Sequence, residues 1–566
     1  MKQKLFILLL LPLFSLAQDK YPKDYFRNPL NIPIVLSGTF GELRSNHFHS
    51  GLDIKTQGKE GLKVVAVADG YVSRIKVQQY GYGKAIYVTH PNGFTSVYGH
   101  LSKFNPEIEA YVKSIQYKKE NYETGNLFPK KNKFVLKKGE LLAYSGDTGG
   151  SGGPHLHFEI RNTKSENVIN PLFFGLQVDD TKSPTIQSLQ VYPLNEESRI
   201  NQQNNSFKIA VKNIGKGKYT ANRIFASGRI GFGINVFDRL NKALNKNGIY
   251  SLEMLVNGKR HYYHDVETFS FSESKYLNLL IDYAYYKKYR SRIQKTFKVK
   301  NNKLSIYQDL VDKGEINIEN GLNYTIKIIA RDFKGNTSAV TIPVIGKKSN
   351  AIFKKQKDTT IYKITADKFH KFTNKNVTVA FPKNSFYDDI YLDFKVENNI
   401  AKIHDKTVPL DKSFTLTFDV SKYTKAQKEK LYIANVENQK YPRYTNTRKK
   451  DSTFYTTTKT LGKYSLVSDN QKPKVNILYF KNNQWISKFN TLKVKISDVG
   501  SGIKNWHATI DGKWVLMQFN HKRRILTYNF DDNKLIGSKH NFRIIVSDNV
   551  GNTTERSATF FKKQTN

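Results

Sequence analysis

Three short stretches gather most of the chemistry in this sequence. His49-Ser50-Gly51-Leu52-Asp53 sets an imidazole and a carboxylate four residues apart. Four is an even step, so both side chains lie on one side of an extended strand, and Gly51 between them argues against a helix. An imidazole and a carboxylate pointing together make half of a zinc site. His155-Leu156-His157-Phe158-Glu159-Ile160 puts two histidines on one strand face and Leu156, Phe158 and Ile160 on the other, toward a core. Ahead of it runs Gly146-Asp147-Thr148-Gly149-Gly150-Ser151-Gly152-Gly153-Pro154. That run lacks the Lys-Ser/Thr ending of a phosphate loop, and its scarcity of side chains lets an extended peptide approach the backbone. Tyr98-Gly99-His100-Leu101-Ser102 adds another histidine at the end of a short strand.

Other candidates have simpler readings. The chain has 13 histidines, six of them between positions 47 and 157. His47 shares a face with His49 but has no carboxylate four residues on, so it belongs beside a site or on the surface. His90 precedes Pro91 in a turn and reads as structural. His261 and His264 are three apart, a step that points them to opposite faces of a strand. Asp332, Asp498 and Asp548 could hold calcium, although the ordinary work of such residues is to bond nearby backbone amides in turns.

The elements that must position these groups are mostly strands. From about 36 to 176 short β-type runs alternate with glycine turns, as in Val64–Ala68 into Asp69-Gly70 and Ala85–Thr89 into Pro91-Asn92-Gly93. One helix is expected after Asn105, which can cap it, with Pro106 first and Ile108, Tyr111, Val112 and Ile115 on one face. Residues 103–133 around it are expected to form a wall or lid beside a substrate groove. Residues 182–346 and 472–563 each begin with a proline-led strand and close on an Asp-x-x-Gly-Asn-Thr turn. That pattern reads as a duplicated immunoglobulin-like β-sandwich. Residues 350–469 alternate strongly and form a further β-rich domain, and 18–35 are an irregular polar lead-in.

Composition narrows the classes. A chain of 566 residues is long enough for about four domains. It has no cysteine, which excludes disulfides, thiolate metal ligands and cysteine nucleophiles. With 91 Lys and Arg against 48 Asp and Glu, the net charge of +43 draws the chain to polyanions. Residues 1–17 read as a signal peptide: a basic start, an apolar core from Leu5 to Leu16, and small residues before Gln18. The mature chain contains no other apolar run long enough to span a bilayer. The expected place is therefore periplasmic or extracellular, at the cell envelope, with anionic envelope polymers rather than nucleic acid as the partner.

Taken together and in this order, the three motifs resemble the lysostaphin/LytM-type zinc endopeptidases, metallopeptidase family 23. Phe40-Gly41, Lys137-Lys138-Gly139-Glu140 and Asn170-Pro171 match the flanks, and the resemblance covers about residues 36–176. It implies a mainly β fold, with a duplicated-hybrid-motif-like catalytic domain followed by the β-sandwiches. It implies one Zn2+ held by His49, Asp53 and His157, with His100 and His155 as catalytic histidines. Three protein ligands leave one tetrahedral position for water, whose proton a neutral imidazole would take. His155 would be that base, while His100 would donate to the oxyanion or steer the water. The implied activity is hydrolysis of peptide bonds in peptidoglycan cross-links or stems, with peptidoglycan as substrate and partner. Alternatives are a non-catalytic wall-binding or amidase-activating envelope protein, and an adhesion or assembly protein.

Overall fold

The structure, a computed structural model, describes residues 20–349 and 359–563. The expected signal peptide lies outside the described residues. The chain is mainly β, and its longest helix is Pro106–Lys119. Among the described residues no helix is long and apolar enough to cross a membrane.

The main sheet of the N-terminal part runs in the order Leu36–Gly38, Leu52–Lys55, His155–Asn162, Phe94–Leu101, Lys84–Thr89, Gly70–Val77, Gly125–Leu127. Its central strand, His155–Asn162, is antiparallel to both neighbours, with His157 opposite Asp53 on one side and Gly99 on the other. That register brings the three motifs together. Leu156, Phe158 and Ile160 are fully buried against Leu52, Ile54 and Tyr98. A period of two then forces residues 155, 157, 159 and 161 onto the opposite face. Gly51 is required by close approach, because a β-carbon there would lie 2.3 Å from the Phe158 carbonyl oxygen.

The lead-in is less polar than its composition suggests. Phe26, Leu30 and Ile34 are buried in the first core, and Leu30 and Ile34 bridge to Val64 and Val178. The second block is more continuous than two stacked sheets. The strand Ile224–Phe237 pairs with Thr185–Pro193 along most of its length and with Thr337–Gly346 at its start, joining 13 strands into one sheet. Two five-stranded sheets follow within residues 370–468, then a four- and a five-stranded sheet within 474–561.

These blocks are not loose spacers. Val168–Ile169 pairs with Thr268–Phe269, and Leu277, Leu280 and Ile281 join the core beneath the first sheet. The helix Pro106–Lys119 forms as its sequence dictates, with Asn105 accepting from the Ile108 amide. Its expected role as wall or lid is not what the structure shows. Tyr117 packs edge-on against Trp514, and Lys113 pairs with Asp532 at 2.6 Å. Among the described residues none from 103–133 lines the groove described below. The amphipathic face buries Ile108 and Val112 inward, so the flank left over meets the last block.

Candidate metal centre and its groove

Five side chains from three motifs converge at the edge where Asp53 and His157 face each other. His49 Nε2 lies 3.0 Å from Asp53 Oδ1 and 3.1 Å from His157 Nδ1, and His157 Nδ1 lies 2.9 Å from Asp53 Oδ1. Donors bound to one tetrahedral zinc at about 2.0–2.2 Å sit roughly 3.3 Å apart. The triangle is close to that size, and these three residues could hold a metal ion. His155 Nε2 is 3.4 Å from the same Asp53 oxygen, and the His100 and His155 rings are 4.8 Å apart.

Each imidazole is turned by a hydrogen bond on its remote nitrogen. His49 Nδ1 donates to Thr39 O, His100 Nδ1 to Thr148 O and His155 Nδ1 to Gly153 O, each at 2.8 Å. His157 Nε2 donates to Glu159 Oε1 at 2.8 Å. Those acceptors are oxygens that can only accept, so in the neutral form of each histidine the remaining ring nitrogen is the one that carries the lone pair. For His49 and His157 that nitrogen is the one in the triangle. His100, next to last in its strand, lies in the left-handed region (φ 59°), a conformation found disproportionately at functional sites.

The supporting shell is the part that motif reading left unassigned. Glu159 is fully buried and accepts from Tyr82 Oη at 2.6 Å and Ser50 Oγ at 2.5 Å, while Arg161 Nη2 pairs with its other oxygen at 2.6 Å. Arg44 Nη2 holds the second oxygen of Asp53 at 3.0 Å. A signal for Glu159 and Arg161 was available. Both share the face of His155 and His157, and two charged residues on the inner face of a central strand need a partner.

The electrostatics follow from this crowding. Burial alone would raise the Asp53 carboxyl, but the imidazoles of His49, His155 and His157 hold it well below its usual range. Burial opposes the charge on Glu159 too, and Arg161 and His157 keep it ionised. Burial lowers His157, yet Asp53 and Glu159 outweigh it and raise the ring to about 9. Burial pushes His100 down to about 3, helped by His157 and His155. An acid centre that draws protons onto His157 equally draws a divalent cation, which the same lone pairs would bind.

The site opens into a groove of about 1220 Å³. Gly150–Pro154 form one wall, Arg44, His47 and Lys55 line the entrance, and Asn245, Lys246, Phe271, Ser274 and Lys275 come from the second block. The glycine run divides its work. Gly149 packs on the 81–83 turn so closely that a β-carbon would lie 2.3 Å from the Gly83 nitrogen, whereas a β-carbon on Gly152 or Gly153 would meet nothing within 4 Å. His47 is exposed with its Nδ1 on Ser45 O. His90 is buried between Asp69 O and Ser96 Oγ, and His264 is buried on Tyr262 Oη while His261 bonds Glu315 O.

Comparison with known proteins agrees with the motifs. Residues 47–117 match the model of peptidase family M23, and residues 361–469 match that of a Zu5-like domain. An uncharacterized metalloprotease of Haemophilus influenzae is 31% identical over 156 residues, covering 26% of this chain and 27% of the relative. The DD-carboxypeptidase/endopeptidase Mpg of Neisseria gonorrhoeae is 32% identical over 134 residues, 24% of either chain. The matches thus span about a quarter of the length of these curated relatives. Among solved structures, the catalytic domain of lysostaphin from Staphylococcus simulans is 23% identical, covering 25% of this chain and 93% of that one, with a TM-score of 0.19. This chain carries a peptidase family M23 domain. The β-rich block that periodicity left unnamed is similar to Zu5-like domains.

Proposed function

We propose that this chain is an exported zinc metalloendopeptidase that hydrolyses peptide bonds in peptidoglycan cross-links or stems. The observation that carries the reading is the set of four imidazoles, each anchored at its remote nitrogen, of which His49, His155 and His157 turn the other nitrogen toward Asp53 while His100 packs against His155 and His157. His49, Asp53 and His157 would hold the ion, since two nitrogen donors and one carboxylate suit zinc and leave a coordination place open. When bound, zinc supplies Lewis acidity that acidifies water and polarises a carbonyl.

The chain's own groups do the rest. His155 offers its Nε2 lone pair beside the Asp53 oxygen and takes the proton, with Gly153 O holding the ring's other N–H. His100 is neutral and presents Nε2 as an acceptor, which supports steering the attacking water over donating to an oxyanion. Gly152 and Gly153 leave room for an extended peptide backbone along the groove. Peptidoglycan as substrate is supported by relatives named DD-carboxypeptidase/endopeptidase and cell division protein. The +43 charge supports retention near an anionic envelope.

The deciding experiment measures zinc content and digestion of defined muropeptides for wild type, His155→Ala and Asp53→Ala. Asp53→Ala is expected to lose both zinc and cutting, and His155→Ala to lose cutting while keeping zinc. Full retention of cutting by both variants would end the assignment and favour a wall-binding role.

A further inference from the structure

We propose that Asp180, Asp238 and Asp332 form a site for a hard divalent cation of the calcium class at the joint between the peptidase domain and the block that follows it. One oxygen from each carboxylate lies within 4.8 Å of the others. Oxygens sharing one calcium at 2.3–2.6 Å are at most about 5 Å apart, so the spacing fits a single ion. A small cavity of about 30 Å³ sits there, lined by all three carboxylates and by Thr39, Phe40 and Tyr250. Asp238 is only 2% exposed, and its Oδ1 has no hydrogen-bond partner. A buried, unpartnered carboxylate oxygen facing two more carboxylates is costly unless positive charge is supplied. Among the described residues no ion pair reaches any of the three, although Lys334 also lines the cavity. An all-oxygen donor set favours calcium over zinc.

The last block repeats the same frame with more of its carboxylate oxygens bonded to backbone amides, Asp498 Oδ1 being the exception. Asp469, Asp498 and Asp548 also come within 4.8 Å of one another, at the matching places: before the first strand, after the strand that pairs with it, and in the Asp-x-x-Gly-Asn turn. Asn336 Nδ2 donates to Asp332 Oδ2 at 2.7 Å and Asp180 O at 3.3 Å, and Asn552 Nδ2 to Asp548 Oδ2 at 2.7 Å and Asp469 O at 3.0 Å. There, however, the Ser501 and Gln471 amides donate to Asp469, and those of Gly500 and Gly502 to Asp498. Asp498 takes both amides on Oδ2 and its Oδ1 is without a partner like Asp238 Oδ1, but Asp238 is buried whereas Asp498 is only partly so.

A cation at the joint would act on the peptidase site through Thr39. Its hydroxyl bonds the Gly248 amide at 3.1 Å, and its carbonyl anchors His49 at 2.8 Å. The ion would thereby brace the wall formed by Asn245, Lys246 and Phe271 against the groove.

The test uses the zinc-loaded full chain carrying Asp498→Asn, so that the last block's cluster does not contribute. Tb3+ is titrated, with emission sensitised through Tyr250, then displaced by Ca2+, and melting is followed with and without Ca2+. Expected are saturable emission displaced by Ca2+, one Ca2+ per chain by calorimetry, and a melting midpoint several degrees higher with Ca2+. Adding Asp238→Asn should abolish emission and the calcium shift without lowering the calcium-free midpoint, a pattern that a merely structural aspartate would not give. Tyr250→Phe should dim emission yet keep the calcium shift. The proposal is overturned if no Ca2+ binds up to about 10 mM, above the 10⁻⁴–10⁻³ M range of extracellular calcium modules. It is equally overturned if the Asp238→Asn protein responds to Ca2+ as its parent does. Should that variant fail to fold, the calorimetric stoichiometry of the parent decides alone.

Discussion

Two three-residue clusters in this chain, His49/Asp53/His157 and Asp180/Asp238/Asp332, are both tightly spaced and largely buried, yet they are built on opposite plans. In the first, every donor has a second interaction that sets its direction: Thr39 for His49, Arg44 for Asp53 and Glu159 for His157. In the second, Asp332 is capped by Asn336 while Asp238 Oδ1 has no partner at all. A directed set of mixed donors specifies geometry and so can serve catalysis. A poorly satisfied set of like charges specifies little beyond the demand for a cation, and so suits a structural clasp.

The largest break in that contrast comes from removing a donor of the first cluster. Asp53→Ala or His157→Ala should reduce zinc stoichiometry toward zero and muropeptide cleavage to background. Normal cleavage by either protein would make the directed geometry irrelevant.

Acid tests a third kind of buried group, imidazoles whose titration burial dominates. Burial lowers His90 and His264 to about 4. Between that value and the unfolded pKa near 6.5 the unfolded chain binds more protons than the folded one, so stability rises with pH across the window. It is fully present above about 6.5 and is lost as pH falls toward 4, by up to roughly 3 kcal/mol per histidine. Urea midpoints between pH 7 and 4.5 should fall accordingly, and His90→Gln should flatten the slope. A flat profile for wild type would refute this.

Glu159→Gln sharpens the comparison inside the first cluster. It keeps the shape but weakens the hold on His157, and zinc affinity should fall by about 10–100-fold. Competition with a zinc chelator measures it; an unchanged affinity would show that direction comes from the sheet register alone.

The smallest effect belongs to the helix. Lys113→Ala removes the pair with Asp532 and should loosen the last block by about 1 kcal/mol or less. Muropeptide preference should stay unchanged, since none of the described residues 103–133 lines the groove. A shift in preference would restore the lid reading.

Legibility differed by kind of contact. The motif histidines and Asp53 could be read because a period of two assigns faces along one strand without any partner. The helix could be read from Asn105 and Pro106, but its neighbour could not. Trp514 and Asp532 lie about four hundred residues away and carry no local mark of Tyr117 or Lys113. Glu159 and Arg161 fell between these cases: their face was legible, while their burial required knowing that His155–Asn162 is central in its sheet.

The amino-acid order alone therefore determined which side chains share a face, where turns fall, and which donor types are available, because those depend on backbone geometry within a few residues. Only the tertiary structure decided that His157 stands opposite Asp53, that each imidazole is locked by its remote nitrogen, and that residues from the second block wall the groove. Those outcomes rest on strand register and on apolar faces packing across hundreds of residues, where many pairings satisfy the local pattern and the summed burial selects one.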